Sequence, residues 1–217
     1  MVKAARLGVS NGTLLDPEAR EWSGLEKQPV DLQATLLVLQ PSEYIQNKWA
    51  NLQHGLTAQV RVAAAHNGES IFFRIEWDDQ SDDSHPTDMA DFPDQCGVML
   101  PITDDAPITE MGLTTKPVNM WLWRADVETP YYVTARGRGT TLRYAESPLT
   151  GRGVWRDGRW QVVIARPFHI SLPARLIVPL APGMKHKCTF AVWQGSNKER
   201  GGLKAYGPLW QPLEIEA

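Results

Sequence analysis

The sequence predicts a mainly β protein, a single-domain antiparallel β-sandwich that spans residues 1–217. Three observations lead to this fold class. About ten short segments carry apolar residues at every second position, and turn signals separate them. Two of the turns contain Asn67-Gly68 and Asp157-Gly158, dipeptides that favour tight hairpins because both residues accept positive φ. Long segments with the 3.6-residue apolar period of a helix are missing from the sequence.

The individual elements follow from the same pattern. Residues 1–30 are expected to be irregular, 30–39 to form a weak strand, and 42–52 to form a short helix with Ser42 as its N-cap. The clearest unit is a hairpin of strands 57–65 and 70–77, whose second strand places Phe73 and Trp77 on one face and Arg74 on the other. Further strands are predicted at 96–100, 117–126, 131–135, 141–144, 153–156, 159–165, 187–193 and 209–215. The connections 78–95, 101–116 and 194–204 are expected to be long and irregular, the acidic run 78–91 is expected to be solvated, and 170–180 predicts no clear element.

Composition excludes several classes of partner and chemistry. The net charge of −3 argues against nucleic-acid binding, which requires a basic surface. Apolar runs stay shorter than 18 residues, so no membrane span is expected, and residues 1–12 lack the apolar segment of a secretory signal. Cys96 and Cys188 are too few for a disulfide scaffold and are expected to be small buried residues.

The stretch 109–126 runs from a loop into a strand and combines unusual residues. Val118, Met120 and Leu122 alternate with Asn119, Trp121 and Trp123, which is the period of a strand. Met111 precedes this strand at a position that no periodicity explains, so it is either packing or a soft sulfur ligand. The nine tryptophans of the chain fit a core, a sugar-stacking surface or the wall of a flat aromatic cofactor, and the sequence alone favours the core.

Common catalytic and binding motifs are missing from the sequence. It contains neither a nucleotide-binding glycine loop nor a G-x-S-x-G nucleophile motif, and its five histidines lack metal-ligand spacing. Lys204 follows the glycine-rich segment 194–203 and leads into the final strands. On residue type alone, Met111 is more often a packing residue and Lys204 more often a solvated one.

Several segments, in this order, resemble one protein family. They are AAHNGESIFFRIEW (64–77), DFPD (91–94) with GVMLP (97–101), Met111-Gly112 with PVNMWLWRA (117–125), DGRWQVVIAR (157–166), and FAVWQGSNKER (190–200) with Lys204 after it. Together they are similar to the γ subunit of ethylbenzene dehydrogenase and of related molybdenum enzymes of the dimethyl-sulfoxide-reductase superfamily. Dimethylsulfide dehydrogenase, chlorate reductase and selenate reductase have similar subunits.

The resemblance implies a subunit that transfers electrons and is not catalytic on its own. One non-covalent haem b is expected in a cleft formed by the long loops, with Met111 and Lys204 as the axial iron ligands and Met99 as the rival methionine. Asn119 and Trp121, on the tryptophan-rich strand, are expected to contact the cofactor. The implied partners are an iron–sulfur β subunit, a molybdenum catalytic α subunit and an external electron carrier such as a cytochrome, in the periplasm.

Two other functions fit parts of the sequence. A carbohydrate-binding β-sandwich would expose its tryptophans and would need no buried lysine. A β-sandwich hydrolase would use paired carboxylates, which the sequence neither locates nor excludes.

Overall fold

The computed structural model describes residues 1–172 and 177–217, and most of its regular structure is β-strand. The strands are β1 (Val2–Arg6), β2 (Gln28–Asp31), β3 (Gln33–Ala34), β4 (Gln59–His66), β5 (Ser70–Asp78), β6 (Gln95–Pro101), β7 (Val118–Arg124), β8 (Tyr131–Ala135), β9 (Leu142–Arg143), β10 (Thr150–Arg156), β11 (Arg159–Pro167), β12 (Lys185–Trp193), β13 (Ala205–Tyr206) and β14 (Gln211–Ile215). Within the described residues, the helices are α1 (Asn11–Leu15), α2 (Glu43–Trp49) and the 3₁₀ helices Arg20–Gly24 and Leu37–Leu39.

The strands form one sheet whose main path is β10-β11-β5-β4-β1-β14-β12-β6-β7-β8-β9. Off this path, β2 pairs with β4, and β13 pairs with β12 and β3. Strand β12 joins the two halves of the sheet, because residues 185–188 pair with β14 and residues 189–193 pair with β6. The halves pack as two facing layers, which confirms the predicted β-sandwich. All pairs are antiparallel except those of β1, which runs parallel to both β14 and β4.

The core lies between the two layers and is rich in aromatic rings. Phe73 of β5 lies 5.6 Å from the ring of Trp121 on β7 and 6.2 Å from that of Phe190 on β12, measured between ring centroids. The rings of Trp123 and Trp160 make a similar contact at 5.1 Å. Each fully buried side chain of this size stabilises the fold by about 1.5–3 kcal/mol relative to an exposed one. The core interpretation of these tryptophans is therefore correct.

The N-terminal segment is more regular than its sequence predicts. Residues 1–30 contain β1, the start of β2, and α1, whose N-cap Ser10 accepts a hydrogen bond from the Thr13 N–H. The expectation of an irregular segment is wrong here. Strand β1 has few residues of high β-propensity and forms because it pairs with strands distant in sequence, which local pattern does not reveal.

The segment after β2 also differs from expectation. Residues 30–39 were predicted as one strand, but only β2 and β3 are extended, and the chain then turns into the 3₁₀ helix Leu37–Leu39. Leu36 and Val38 are exposed in spite of their apolar side chains. The next helix, α2, has the predicted N-cap, because the Ser42 hydroxyl accepts from the Ile45 N–H at 3.3 Å.

Several other predictions are confirmed. Strands β4 and β5 meet at Asn67-Gly68, and β10 and β11 meet at Asp157-Gly158. Cys96 and Cys188 are free and buried. Within the described ranges, none of the helices has the length and apolar character needed to cross a membrane. Residues 173–176 of the segment 170–180 lie outside the described residues.

The acidic run 78–91 is not solvated throughout. Asp79 is buried, and its carboxylate accepts hydrogen bonds from the Trp77 indole and the Ser81 N–H. Asp94, in the turn that follows, is buried as well and accepts from the Trp160 indole and the Gly195 N–H. Burial, together with the neighbouring Asp79, raises the pKa of Asp94 to about 7. These carboxylates anchor the loop before β6 to the loop after β12.

Candidate functional site

An apolar cavity lies on the outer face of the layer that contains β6, β7 and β12, away from the core. Its floor is the outer face of β6, β7, β12 and β13, and its volume is about 620 Å³. Three loops complete the walls: residues 108–111, residues 138–141 and residues 201–204. The segment 35–41, called here the strap, forms the remaining wall. A cavity of this size is within the ordinary range for cofactor and small-molecule sites.

The lining of the cavity is mainly apolar. The floor presents Met99, Met120, Leu122, Trp193 and Tyr206. Among the described residues that line it, the charged side chains are Arg138 and Lys204, and none is a carboxylate. The cavity is therefore suited to a ligand with an apolar body and negative charge at its edge.

Met111 lies on a loop whose backbone is firmly held. Met111 has a φ of 57° and Gly112 a φ of 81°, so two consecutive residues adopt left-handed conformations. Their N–H groups donate to the carbonyls of Ile108 and Pro107, each at 2.9 Å. A side chain at Gly112 would place its Cβ 2.7 Å from the Lys116 carbonyl oxygen. This geometry requires glycine after Met111 and fixes the backbone from which the methionine reaches the cavity.

Lys204 lies on another wall of the cavity, directly before β13. Its carbonyl accepts a hydrogen bond from the Thr35 N–H at 3.1 Å, and Ala205 pairs with Ala34 of β3. The preceding loop is held by Glu199, a buried carboxylate that accepts from the N–H groups of Gly55 at 2.7 Å and Gln194 at 3.1 Å. The two predicted ligands, Met111 and Lys204, therefore line one cavity from separate loops.

The environment of the Lys204 amine disfavours its charged form relative to water. The side chain is partly exposed, but that exposed surface faces the cavity. Its Nζ lies 5.0 Å from the ring centroid of Trp193, and it makes no hydrogen bond or ion pair with any residue in 1–172 or 177–217. Because the surrounding protein disfavours the charged form, the pKa of Lys204 falls from 10.5 to about 8.

Two hydrogen bonds join the strap to the loop that carries Lys204. Thr35 Oγ1 donates to the Gly202 carbonyl at 2.5 Å, and Gln40 Nε2 donates to the same oxygen at 3.0 Å. Buried His54 supports the strap from behind, with its Nε2 donating to the Thr35 carbonyl at 2.7 Å. The exposed Leu36 and Val38 thus stand at the edge of the cavity on a fixed backbone.

Asn119 and Trp121, predicted to contact a cofactor, are on the other side of the sheet. Trp121 is fully buried in the core, where its indole N–H donates to Asn119 Oδ1 at 2.7 Å. Asn119 in turn donates to the Val133 carbonyl at 2.9 Å. Neither residue lines the cavity. The alternation of β7 is as predicted, but the face toward the cavity is that of Met120 and Leu122.

Sequence reasoning missed several residues of the cavity. Met120 lines it together with Met111 and the rival Met99, and Met99 is opposite Met120 in the pairing of β6 with β7. Trp193, Arg138 and the strap were not assigned to it either. Two features of the sequence could have revealed them. The alternation of β12 puts Trp193 on the face of the strand away from the core residue Val192. The apolar run 36–39 does not alternate as a strand should.

Over the described part of the chain, no three His, Cys, Asp or Glu side chains are placed to hold a metal ion.

Comparison of the sequence with known protein families identifies the family of this chain. Residues 20–148, more than half of the chain, match the family described as ethylbenzene dehydrogenase. The chain belongs to the ethylbenzene dehydrogenase family. Named relatives agree with this assignment. A putative respiratory nitrate reductase heme subunit from Haloferax mediterranei is 35% identical over 147 residues, which cover 67% of this chain and 52% of the relative.

Two γ subunits are also similar to this member of the ethylbenzene dehydrogenase family. The chlorate reductase subunit gamma of Ideonella dechloratans is 28% identical over 96% of this chain and 83% of its own length. The dimethylsulfide dehydrogenase subunit gamma of Rhodovulum sulfidophilum is 29% identical over 69% of this chain and 57% of its own length. The chain thus spans little more than half of two of these relatives.

Similar folds occur in proteins of a different description. A family 9 carbohydrate-binding module from Caldicellulosiruptor kristjanssonii, in complex with glucose, has a TM-score of 0.52 and 9% identity, and the match covers 100% of this chain and 95% of the module. A putative carbohydrate-binding protein from Bacteroides uniformis has a TM-score of 0.54 and 12% identity, over 100% of this chain and 97% of that protein. At these identities the likeness shows the β-sandwich fold alone.

Proposed function

We propose that this chain is the electron-transfer subunit of a molybdenum oxidoreductase complex. It binds one non-covalent haem b in the outer cavity, and Met111 and Lys204 are the axial ligands of the iron. The observation that carries the proposal is that a methionine and a lysine of lowered pKa line one apolar cavity. The chain's family and its relatives' names support the same class of subunit.

The residues of the cavity fit this cofactor. The apolar floor and strap provide surface for a flat apolar ring system, and Met111 and Lys204 provide one soft and one nitrogen donor. When bound, the haem supplies a one-electron redox couple that the protein's side chains do not possess. If Met111 and Lys204 both hold the iron, no position would remain for a substrate, and the subunit would carry electrons without being catalytic itself.

The lowered pKa of Lys204 prepares the amine for iron. An amine binds a metal only after it loses its proton. At pH 7 deprotonation costs roughly 5 kcal/mol for a lysine of pKa 10.5 but only about 1.4 kcal/mol when the pKa is about 8, at 1.36 kcal/mol per unit. Burial therefore removes most of the cost of this ligand before the iron contributes. Met111 adds a neutral thioether, which favours ferrous iron and raises the reduction potential.

The assembly in which the chain works is part of the proposal. We assign it an iron–sulfur β subunit and a molybdenum α subunit as partners, an external electron carrier such as a cytochrome, and a periplasmic location. The 217 residues act as one haem-binding domain. Met99, the rival methionine, also lines the cavity, and so does Met120, which the sequence did not single out.

The carbohydrate-binding alternative fits the cavity less well. Sugar platforms use exposed aromatic faces, whereas Trp77, Trp121 and Trp160 are buried in the core. Trp193 does line the cavity, but it is also buried and lies beside the Lys204 amine.

Titration of the purified chain with haem tests the proposal. We expect one haem per chain and the absorption spectrum of low-spin, six-coordinate iron. Glucose and cellotriose serve as competing probes, and we expect neither to bind or to displace the haem. Failure to bind haem, or a sugar that displaces it, would contradict the proposal.

A further inference from the structure

We infer that Arg138 binds the carboxylates of the cavity's ligand at its mouth. The inference rests on the proposed function, since the carboxylates are those of the haem. It concerns a contact that is separate from the two iron ligands.

The charges of the cavity point to Arg138. Of the two cations on its described lining, Lys204 would be a neutral amine when it binds iron, so it could not neutralise a carboxylate. No acidic side chain on that lining would repel one. Arg138 is then the positive charge that remains for an anionic group, and its planar guanidinium can bind a carboxylate through two parallel hydrogen bonds.

Among the described residues, the guanidinium of Arg138 has no partner that competes for it. It is exposed, and it makes no hydrogen bond or ion pair within the described parts of the chain. Two other cations already have partners: Lys116 pairs with Asp105, and Lys187 donates to the Asp104 carbonyl at 3.0 Å. Arg138 can therefore bind a ligand without first breaking a protein contact.

Two glycines and two hydrogen bonds determine the conformation of the backbone around Arg138. Gly137 and Gly139 on either side have φ values of 127° and 78°, and Thr140 Oγ1 donates to the Gly137 carbonyl at 2.7 Å. The Gly137 N–H donates to the carbonyl of Met111 at 3.1 Å. The backbone of the residue before Arg138 is thus hydrogen-bonded to the backbone of Met111, which joins the two loops that carry these residues.

Titration of two haem compounds into four forms of the protein tests this contact. Haem and its dimethyl ester, in which both carboxylates are blocked, are titrated into wild type, Arg138→Gln, Arg138→Lys and Arg136→Gln. Arg136 is the matched control, because it is an exposed arginine of the same loop that does not line the cavity.

We expect Arg138→Gln to weaken haem binding about fivefold, as for a partly exposed ion pair, and to leave ester binding unchanged. Arg138→Lys should retain part of the affinity, and Arg136→Gln should behave as wild type.

Each other outcome has a definite meaning. Equal weakening of haem and ester by Arg138→Gln would show a structural role and overturn the inference, and so would no weakening of either. If wild type binds neither compound, the proposed function fails. If wild type binds both with equal affinity and a low-spin spectrum, the proposed function stands and only the Arg138 inference falls.

Discussion

The amine of Lys204 lies 5.0 Å from the ring centroid of Trp193, and the Trp193 indole N–H donates to the Gly201 carbonyl at 3.0 Å. The loop that carries the lysine therefore also orients the ring beside it. This arrangement keeps water from part of the amine and leaves its other side facing the cavity.

The pKa of Lys204 predicts how haem binding depends on pH. Because only the neutral amine binds iron, affinity should be constant above about pH 8 and should fall by up to about tenfold per unit below it. Affinity is measured by absorbance titration from pH 6 to 9. Lys204→Gln should abolish this dependence, whereas Lys198→Gln, at an exposed lysine of the same loop paired with Asp91, should retain it. A wild-type affinity that rises toward low pH would contradict the assignment.

Replacing Met111 should lower the reduction potential of the bound haem. Met111→Leu removes the sulfur that favours ferrous iron, and we expect a drop of about 60 mV or more, equivalent to a tenfold loss of preference for ferrous over ferric iron. Redox titration followed by absorbance gives the value. Met99→Leu and Met120→Leu serve as controls on the same cavity. A drop confined to either control would transfer the sulfur ligand to that residue.

Gly112 should be intolerant of any side chain. At its φ of 81°, the Cβ of Gly112→Ala would lie 2.7 Å from the Lys116 carbonyl oxygen and 3.1 Å from that of Ala135. We expect a loss of about 2–3 kcal/mol in the free energy of unfolding, measured by urea denaturation. Gly68→Ala is the control, since Gly68 also has positive φ but open space around it, and it should cost only about 1 kcal/mol. Equal losses would mean that the close contacts at Gly112 relax without cost.

Glu199 should matter for both stability and the position of Lys204. Glu199→Ala leaves the N–H groups of Gly55 and Gln194 without their acceptor, so we expect a loss of about 2–4 kcal/mol in unfolding free energy and weaker haem binding. Denaturation and haem titration measure the two effects. Glu214→Ala, at a partly exposed position of β14, should change neither. Undiminished haem affinity in Glu199→Ala would show that Lys204 is positioned independently of this carboxylate.

Local signals in the sequence were sufficient to predict the two hairpins and the irregular connections that lead to Met111 and Lys204. Alternation along β7 separated its two faces correctly but could not tell which one met the core, because both faces are apolar. The family resemblance placed Trp121 at the cofactor, whereas its ring packs on Phe73 in the core. Strand β1 and the position of Arg138 depend on contacts distant in sequence, and a single sequence carries no local record of them.

Carbon monoxide binding to the ferrous, haem-loaded protein tests the central claim most directly. Wild type should show a low-spin spectrum and bind little carbon monoxide, because both axial positions are occupied. Lys204→Ala should open one position, become partly high-spin and bind carbon monoxide, while Lys198→Ala should match wild type. A Lys204→Ala protein that keeps the wild-type spectrum and excludes carbon monoxide would contradict the account.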